Sequence, residues 1–424
     1  MFNPPYFLGL DFGTSGARAC VIDANKSVVW QQRFAYLTPA TQTPEDWRTA
    51  LHTLLNALPQ PLSSQLQGIA IDGTSGTVLL CDAQAAPVSP ALLYNDARAQ
   101  EEALHLRAIA PADSTVATAT SGLAKFLWLT EHYPGAHYFL HQADWLTAQL
   151  SGIIDVSDYH NALKSGYDVE NLCWPDWLQA LPHAALLPHV VAPGEIIGTI
   201  QAQVAARFGI ARDCAIHAGT TDSIAAFMAS GVHESGIGVT SLGTTLVLKQ
   251  LSKQRIEAPE YGIYSHRYGE LWLVGGASNA GAGVLRAYFD DAQLAALSAR
   301  IDPLRDSPLD YYPLPKTGER FPVNDANLAP RLSPRPADDG EFLHGLLQGL
   351  ARIEAAGYAK LAALGAAPIT RVVSNGGGAK NRVWQQMRAR ILGVPVTISN
   401  HAQAACGAAL LAATCGRTDG RSCG

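Results

Sequence analysis

Short apolar blocks separated by tight turns open the chain. Tyr6 to Asp11 is mainly apolar, Phe12-Gly13-Thr14-Ser15-Gly16 forms a turn, and Ala17 to Ile22 is a second apolar run. Asp23-Ala24-Asn25-Lys26 then leads into a third run, Ser27 to Tyr36. Runs of this length bounded by Gly, Asp and Asn predict a three-stranded meander. Pro44 to Leu58 begins with Pro and acids and carries Trp47, Leu51, Leu54, Leu55 and Leu58 at helical spacing, which predicts an amphipathic helix packed on that meander. Gln67 to Asp72 predicts a buried strand, Gly73-Thr74-Ser75-Gly76 a turn, and Thr77 to Cys81 a strand. Leu, Ala and Trp spacing predicts mostly helix from Ala97 to Leu150, and residues 151–215 are mixed and turn-rich. A strand over Cys214 to Ala218 and a helix over Ser223 to Ser230 flank Gly219-Thr220-Thr221-Asp222.

The opening pattern then restarts. Gly236 to Leu242 predicts a strand, Gly243-Thr244-Thr245 a tight turn, and Leu246 to Leu251 a returning strand. Beside Leu10-Asp11-Phe12-Gly13-Thr14-Ser15, this second hairpin indicates an internal duplication and two similar lobes. The Pro- and Asp-rich stretch from Asp302 to Gly340 has no periodicity and is too long for an idle connector, so it is expected to fold over a cleft. Glu341 to Leu364 predicts a helix and Ile369 to Ser374 a strand. Asn375-Gly376-Gly377-Gly378 leads into a helix over Lys380 to Leu392, and the strand Val394 to Ile398 precedes a terminal helix.

At 424 residues the chain is long enough for two or three domains. Its 48% hydrophobic and 16% charged residues exclude intrinsic disorder. Thirty Lys and Arg against 36 Asp and Glu, with no basic block, argue against a nucleic-acid partner. Seven cysteines (Cys20, Cys81, Cys173, Cys214, Cys406, Cys415, Cys423) are scattered and never spaced as C-x-x-C, so neither a disulfide framework nor a zinc knuckle is expected, and a reducing compartment fits. His141, His160 and His401 lack metal-ligand spacing. No window approaches the roughly 18 uninterrupted apolar residues of a membrane span. Met1-Phe2-Asn3-Pro4-Pro5 does not resemble a signal peptide, so a cytoplasmic location and no membrane partner are expected.

Three glycine clusters and two aspartates carry the candidate chemistry. Asp11 ends a buried strand and is followed by glycines and hydroxyls, an arrangement that surrounds an anion with N–H groups and supplies a hard oxygen ligand for Mg²⁺. The alternative is a hairpin whose Asp and Thr satisfy only their own backbone. The second copy, Leu242-Gly243-Thr244-Thr245, has Ser241 in place of the Asp, so one lobe would hold the metal and both would hold phosphate. No P-loop and no G-x-G-x-x-G between a strand and a helix exists to explain the glycines otherwise. Asn375-Gly376-Gly377-Gly378-Ala379-Lys380-Asn381 lies between a strand and a helix, where bare backbone can lie against a base. Asp222 stands at a strand-to-helix corner, and local sequence weighs a helix cap and a catalytic carboxylate equally. Phosphoryl transfer to an alcohol needs a carboxylate to accept the hydroxyl proton and another to orient Mg²⁺, work that Asp222 and Asp11 can divide.

With these strings in place the chain resembles the FGGY carbohydrate kinases, members of the actin-like, ribonuclease-H-like ATPase superfamily. The resemblance runs nearly end to end. It rests on Leu8-Gly9-Leu10-Asp11-Phe12-Gly13-Thr14-Ser15, Ala218-Gly219-Thr220-Thr221-Asp222-Ser223, Ser241-Leu242-Gly243-Thr244-Thr245, Gly318-Glu319-Arg320-Phe321-Pro322 and Ser374-Asn375-Gly376-Gly377-Gly378-Ala379-Lys380-Asn381, in family order. It implies an α/β fold of two duplicated actin-like (ribonuclease-H-like) ATPase domains with a cleft between them. Residues 1–229 would form the sugar-binding lobe and 230–402 the nucleotide-binding lobe, with a helix over 403–420 packing back on the first. By the same resemblance Asp11 orients Mg²⁺ and phosphates, and Asp222 is the general base toward the sugar hydroxyl. Thr14, Ser15, Gly243 and Thr244, with Gly13, would contact the phosphates of ATP, and Gly377, Gly378 and Asn381 would line the adenine site. The sugar candidates are Asp11, Asp72, Ser75, Asp96, Arg98 and Asp222; for Asp72, Ser75, Asp96 and Arg98 a salt bridge or turn support is the competing role.

Departures from the family pattern bear on the sugar. Xylulokinases usually carry Gln-Met-His-Gly where this chain has Asp72-Gly73-Thr74-Ser75, and Asp96-Ala97-Arg98-Ala99 looks closer to ribulokinase-like members. The aromatic residue before that motif is shifted to Tyr94, and Lys125-Phe126-x-Trp128 survives from a family pattern. The chain is short for the family, which implies missing lid elements, and both its length and the Asp-Gly-Thr-Ser string are similar to a D-ribulose kinase subgroup of cyanobacteria and plants. The implied reaction is ATP-dependent phosphorylation of D-ribulose to D-ribulose 5-phosphate by a monomer or homodimer. Xylulose or another ketose or polyol is the nearest alternative substrate, and an actin-like ATPase without sugar transfer is the alternative of a different class.

Overall fold

A computed structural model describes residues 4–111, 114–399 and 403–414. Met1 to Asn3, His401, Cys415, Cys423 and the last part of the 403–420 helix lie outside the described residues. The chain divides into two compact units, one formed by the residues up to Ala229 together with those from Gln403 on, the other by Ser230–Ala402.

In the first unit the strands Tyr6–Phe12, Gly16–Ile22 and Val28–Ala35 make the antiparallel meander read from the sequence. The sheet continues on the other side of Tyr6–Phe12 through Leu66–Gly73 and Ala215–His217, both added in parallel, and ends on antiparallel Ile196–Thr199. Thr220–Thr221 also pairs with the end of Leu66–Gly73. Alternation along Tyr6–Phe12 sends Leu8, Leu10 and Phe12 into a core with Trp47, Leu51 and Leu54 of the Pro44–Asn56 helix and Trp145 and Leu146 of the Gln142–Ser151 helix. Gly9 faces the other way, toward the Ala404–Thr414 helix. A Cβ there would overlap the Ala405 carbonyl and the Ala409 nitrogen, so glycine is what lets helix backbone lie directly on strand backbone. Gly407 permits the same closeness to Ala225.

The second unit repeats the plan. Leu271–Ser278, Leu246–Ser252 and Ile237–Leu242 form an antiparallel meander, and Arg371–Asn375 and Val396–Ile398 add in parallel beside Ile237–Leu242. The 25-residue helix Asp339–Ala363 and the helix Arg382–Leu392 cover this sheet. They are tied to it by a buried network: Arg388 donates twice to Glu354 at 2.6 Å and once to Ser374 at 2.8 Å, while Thr240 donates to Glu354 at 2.6 Å.

Some elements differ from the sequence reading. The stretch expected to be mostly helical contains the strand Tyr138–His141, paired with Val78–Cys81, between the helices Gly122–His132 and Gln142–Ser151. The helix after the third glycine cluster starts at Arg382, because Gly377–Lys380 makes a tighter 3-10 turn first. The hairpin of His266–Tyr268 and Leu271–Ser278 was not foreseen, since Gly275 and Gly276 interrupt its pattern. Those glycines are required by close packing: side chains there would meet the Leu248 carbonyl and the Phe321 ring. The 302–340 stretch is anchored in the core of its own unit by Tyr311, Leu314 and Phe321.

Candidate functional site

Three aspartates of the first unit lie near one another because of strand register. Asp11 and Asp72 are direct partners at the ends of adjacent parallel strands, Thr220 pairs with Asp72, and Asp222 is the first residue of the Asp222–Met228 helix. Asp11 is 2% exposed and Asp72 0%. Arg18, across the hairpin from Asp11, donates to its Oδ2 at 3.1 Å, while Oδ1 faces the bare backbone of Gly13. Neither oxygen of Asp72 receives an N–H or hydroxyl donor; what faces it is the Asp11 carboxyl. Burial raises the proton affinity of both groups, Arg18 opposes this at Asp11, and the charges of Asp11 and Asp222 add to it at Asp72. Burial and the neighbouring carboxyls thus hold Asp72 well above the usual carboxylate range.

The turn after Asp72 is rigidly braced yet leaves polar atoms unused. Gln142 Oε1 accepts from both the backbone and the hydroxyl of Thr74 at 2.9 Å, and Thr74 bonds Thr77 at 2.6 Å. The oxygens of Asp72, Ser75 Oγ, Gln142 Nε2 and Thr221 Oγ1 are buried without partners. Buried polar atoms of native proteins are nearly always satisfied, which sets this group of exceptions around the end of the Leu66–Gly73 strand apart from its surroundings.

Asp96 and Arg98 are paired with each other through bonds of 2.8–3.1 Å, and Arg98 stacks over Trp128 at 5.0 Å. Their loop is linked to the Asp72 turn by Lys125. This fully buried residue donates to the carbonyls of Gly76 at 2.8 Å and Leu93 at 2.6 Å, and burial pushes its ammonium down to about 7.

The corner that carries Asp222 is also held from behind. Asp222 is the first helical residue and Thr221 occupies the cap position, so the cap reading of Asp222 is not what the structure contains. His160 bonds the Thr220 hydroxyl at 2.8 Å. Asp158 fixes His160 by accepting from its backbone at 2.8 Å and from the Asn161 amide at 2.6 Å, and burial pushes the Asp158 carboxyl up to about 7. Nearby, His141 lies 2.7 Å from Asp144 and 2.9 Å from Ser165 Oγ. This has the order of a nucleophile triad, but Ser165 is fully buried against Gly122, and the trio braces the core. Sequence reading passed over Lys125 and His160 as site residues; the surviving Lys-Phe-x-Trp string was the one signal for the former.

The remaining candidates lie on turns. In Gly13-Thr14-Ser15, Thr14 and Ser15 are exposed, and Gln42 holds the Thr14 carbonyl at 2.7 Å. In the second unit Ala282 donates to the Gly243 carbonyl at 2.9 Å, and Gly281 and Gly283 lie tight against Thr244. Glu319 supports this hairpin from beneath, accepting from Ser278 Oγ at 2.6 Å and the Asn279 backbone at 2.7 Å. Gly376 adopts φ +85° against the Leu242 carbonyl, and Gly377 has open space where a side chain would be. Asn381 Oδ1 caps the Arg382–Leu392 helix at 3.0 Å and its Nδ2 bonds Ser298 at 2.8 Å. Register places Ser241 opposite Asn375, where the first unit has Asp11 opposite Asp72.

Comparison with known proteins agrees with this duplicated plan. Residues 6–229 match the FGGY family of carbohydrate kinases, N-terminal domain, and residues 238–415 match its C-terminal domain. The chain is similar to a protein named xylulose kinase from Streptomyces coelicolor, 28% identical over 93% of this chain and 84% of the relative. Among solved structures, a xyloylose kinase from Brucella ovis superposes with a TM-score of 0.81 at 26% identity, covering 97% of this chain and 91% of its own. A xylulose kinase from Rhodospirillum rubrum shares the fold with a TM-score of 0.83 at 24% identity, covering 98% and 91%. With family models matching both halves, the chain belongs to the FGGY family of carbohydrate kinases.

Proposed function

We propose that this carbohydrate kinase transfers the γ-phosphoryl group of ATP to a free ketopentose, D-ribulose at its 5-hydroxyl. The observation that carries the reading is the set of unpartnered buried polar atoms on Asp72, Ser75, Gln142 and Thr221, next to Asp11 and Asp222. Sugar hydroxyls both donate and accept, which suits a mixed set of this kind. Asp222 receives the proton of the attacking hydroxyl. Asp11 fits a role as the carboxylate ligand of Mg²⁺ through Oδ1, with Arg18 fixing Oδ2. Among the described residues no cluster of three or more metal-type ligands exists, so phosphate oxygens and water would complete the shell, as is usual for Mg²⁺. Bound there, Mg²⁺ supplies charge neutralisation on the phosphates.

The turns Gly13-Thr14-Ser15 and Gly243-Thr244 present backbone donors to phosphate, and Gly377 and Gly378 present bare backbone to adenine. Asn381 serves that site by orienting the helix it caps. Asp96 and Arg98 border the sugar as an ion pair. No described helix is long and apolar enough to cross a membrane, and a cytoplasmic location is part of the proposal.

D-ribulose is preferred because Asp72-Gly73-Thr74-Ser75 stands where xylulokinases usually carry Gln-Met-His-Gly. Xylulose is the second reading, favoured by the names of the relatives. ADP release across D-ribulose, D-xylulose, L-ribulose and glycerol, with identification of the phosphorylated product, separates the two: a higher kcat/KM for D-xylulose overturns the ribulose assignment. For the base, Asp222→Ala is expected to lower kcat about 10²–10⁴-fold with ATP affinity nearly unchanged. Substantial turnover in that variant would remove Asp222 from the role.

A further inference from the structure

Cys20 and Cys406 lie 386 positions apart in sequence, yet their sulfurs are 2.7 Å apart. Cys20 sits on the Gly16–Ile22 strand and Cys406 in the Ala404–Thr414 helix, both buried. The approach is built into the packing. Gly9, the register partner of Cys20, has no side chain to hold the helix away, and Gly407 closes the same helix onto Ala225. Two thiols in ordinary contact stand farther apart than this, and a disulfide bond needs about 2.05 Å. Among the described residues this is the one pair of cysteines in sulfur contact.

Gln31 adds a second feature. It is the neighbour of Cys20 on the Val28–Ala35 strand and is itself exposed, yet its amide donates to Cys406 Sγ at 3.2 Å and reaches Cys20 Sγ at 3.8 Å. One exposed side chain thus contacts both buried thiols. Neither takes part in the phosphoryl-transfer chemistry described above.

We propose that Cys20 and Cys406 form a site of reversible oxidative cross-linking, closed by a hydroperoxide into a disulfide that staples the Ala404–Thr414 helix to the sheet carrying Asp11. Donation from the Cys20 S–H and the Gln31 amide holds the Cys406 thiol below its usual range, while the same pairing and burial push Cys20 up. Cys406 is accordingly the attacking sulfur. Its thiolate takes one oxygen of hydrogen peroxide, the O–O bond breaks, and the hydroxide released becomes water with the proton Cys406 gave up. Cys20 then attacks the sulfenic sulfur, the S–O bond breaks, and the departing hydroxide leaves as a second water with the Cys20 proton. The two sulfurs lose two electrons in total, and one peroxide is reduced to two waters.

The test uses the full chain treated with hydrogen peroxide, then alkylated and digested without reductant. The expected result is loss of the mass of two hydrogens, one peptide pair joining Cys20 to Cys406, and a melting midpoint raised by roughly 5–10 °C that dithiothreitol reverses. C20S and C406S should show neither the linked peptide nor the shift. Recovery of both residues from the treated native protein as alkylated free thiols or as sulfinic acids, or a link from either to exposed Cys173, overturns the proposal. Peptide mapping of the unmutated chain distinguishes these outcomes even if a serine variant fails to fold.

Discussion

At the scale of single residues, the groups that hold the site in place are as consequential as those facing the ligand. Lys125 is the clearest case: its ammonium is the only link, among the bonds described above, between the Asp72 turn and the loop of Asp96 and Arg98. Burial depresses it to about 7, whereas an unfolded lysine titrates near 10.4. Between those values the unfolded chain holds the extra proton, so this residue makes stability rise with pH from about 7 to about 10.4. Below about 7 both states are protonated and the full cost of the buried charge remains. Lys125→Met should therefore remove a slope of about 1.4 kcal/mol per pH unit in that window. Urea unfolding of both proteins at pH 7.5, 8.5 and 9.5 measures the difference, and parallel slopes would show that the ammonium stays charged in the fold. The variant should also raise KM for the sugar, since the two loops lose their common anchor.

At the scale of elements, the same division separates what the sequence disclosed from what it could not. The Gly-Thr hairpins, the existence of the strands after them and the long Asp339–Ala363 helix were legible because each is a local pattern of period and turn chemistry. The Leu271–Ser278 strand was not, because its two glycines answer to Leu248 and Phe321, contacts that exist only after folding. Asp11, Asp72 and Asp222 were legible singly; their nearness follows from strand register, which no local pattern encodes. Gly318-Glu319-Arg320 was legible only as a resemblance, and the fold gives it a physical task. Glu319 ties down Ser278 and Asn279 at the end of the strand paired with Leu246, just before Gly281 and Gly283 pack on Thr244. Glu319→Ala should leave these donors buried without an acceptor, costing about 1–3 kcal/mol in stability. If Gly243-Thr244 binds phosphate, the variant should raise KM for ATP several-fold while KM for the sugar is unchanged. A matched rise in both would show that the clamp supports the whole unit and not the hairpin.

At the scale of the whole molecule, duplication supplies two copies of one Gly-Thr hairpin, and the residues at equivalent register positions give them different charge. The first unit has two carboxyls, Asp11 opposite Asp72, with Arg18 alongside; the second has Ser241 opposite Asn375, both uncharged. A carboxylate pair favours a cation and hydroxyl donors, whereas a neutral pair spares a polyanion any repulsion. The asymmetry is therefore the charge pattern a kinase needs if the first unit positions the metal and the sugar and the second receives the nucleotide. Giving the second hairpin the charge of the first tests this directly. Ser241→Asp places an anion beside the Gly243-Thr244 turn, at a partly exposed position where an effective dielectric near 20 or above applies. Repulsion from a phosphate a few ångströms away then amounts to about 1–3 kcal/mol, or roughly 10–100-fold weaker ATP binding by calorimetric titration. Ser241→Asn, which keeps the size of Asp without its charge, should bind ATP within a few-fold of the unmodified chain. Equal weakening in both variants would trace the effect to shape, and unchanged binding in Ser241→Asp would move the phosphates away from this hairpin.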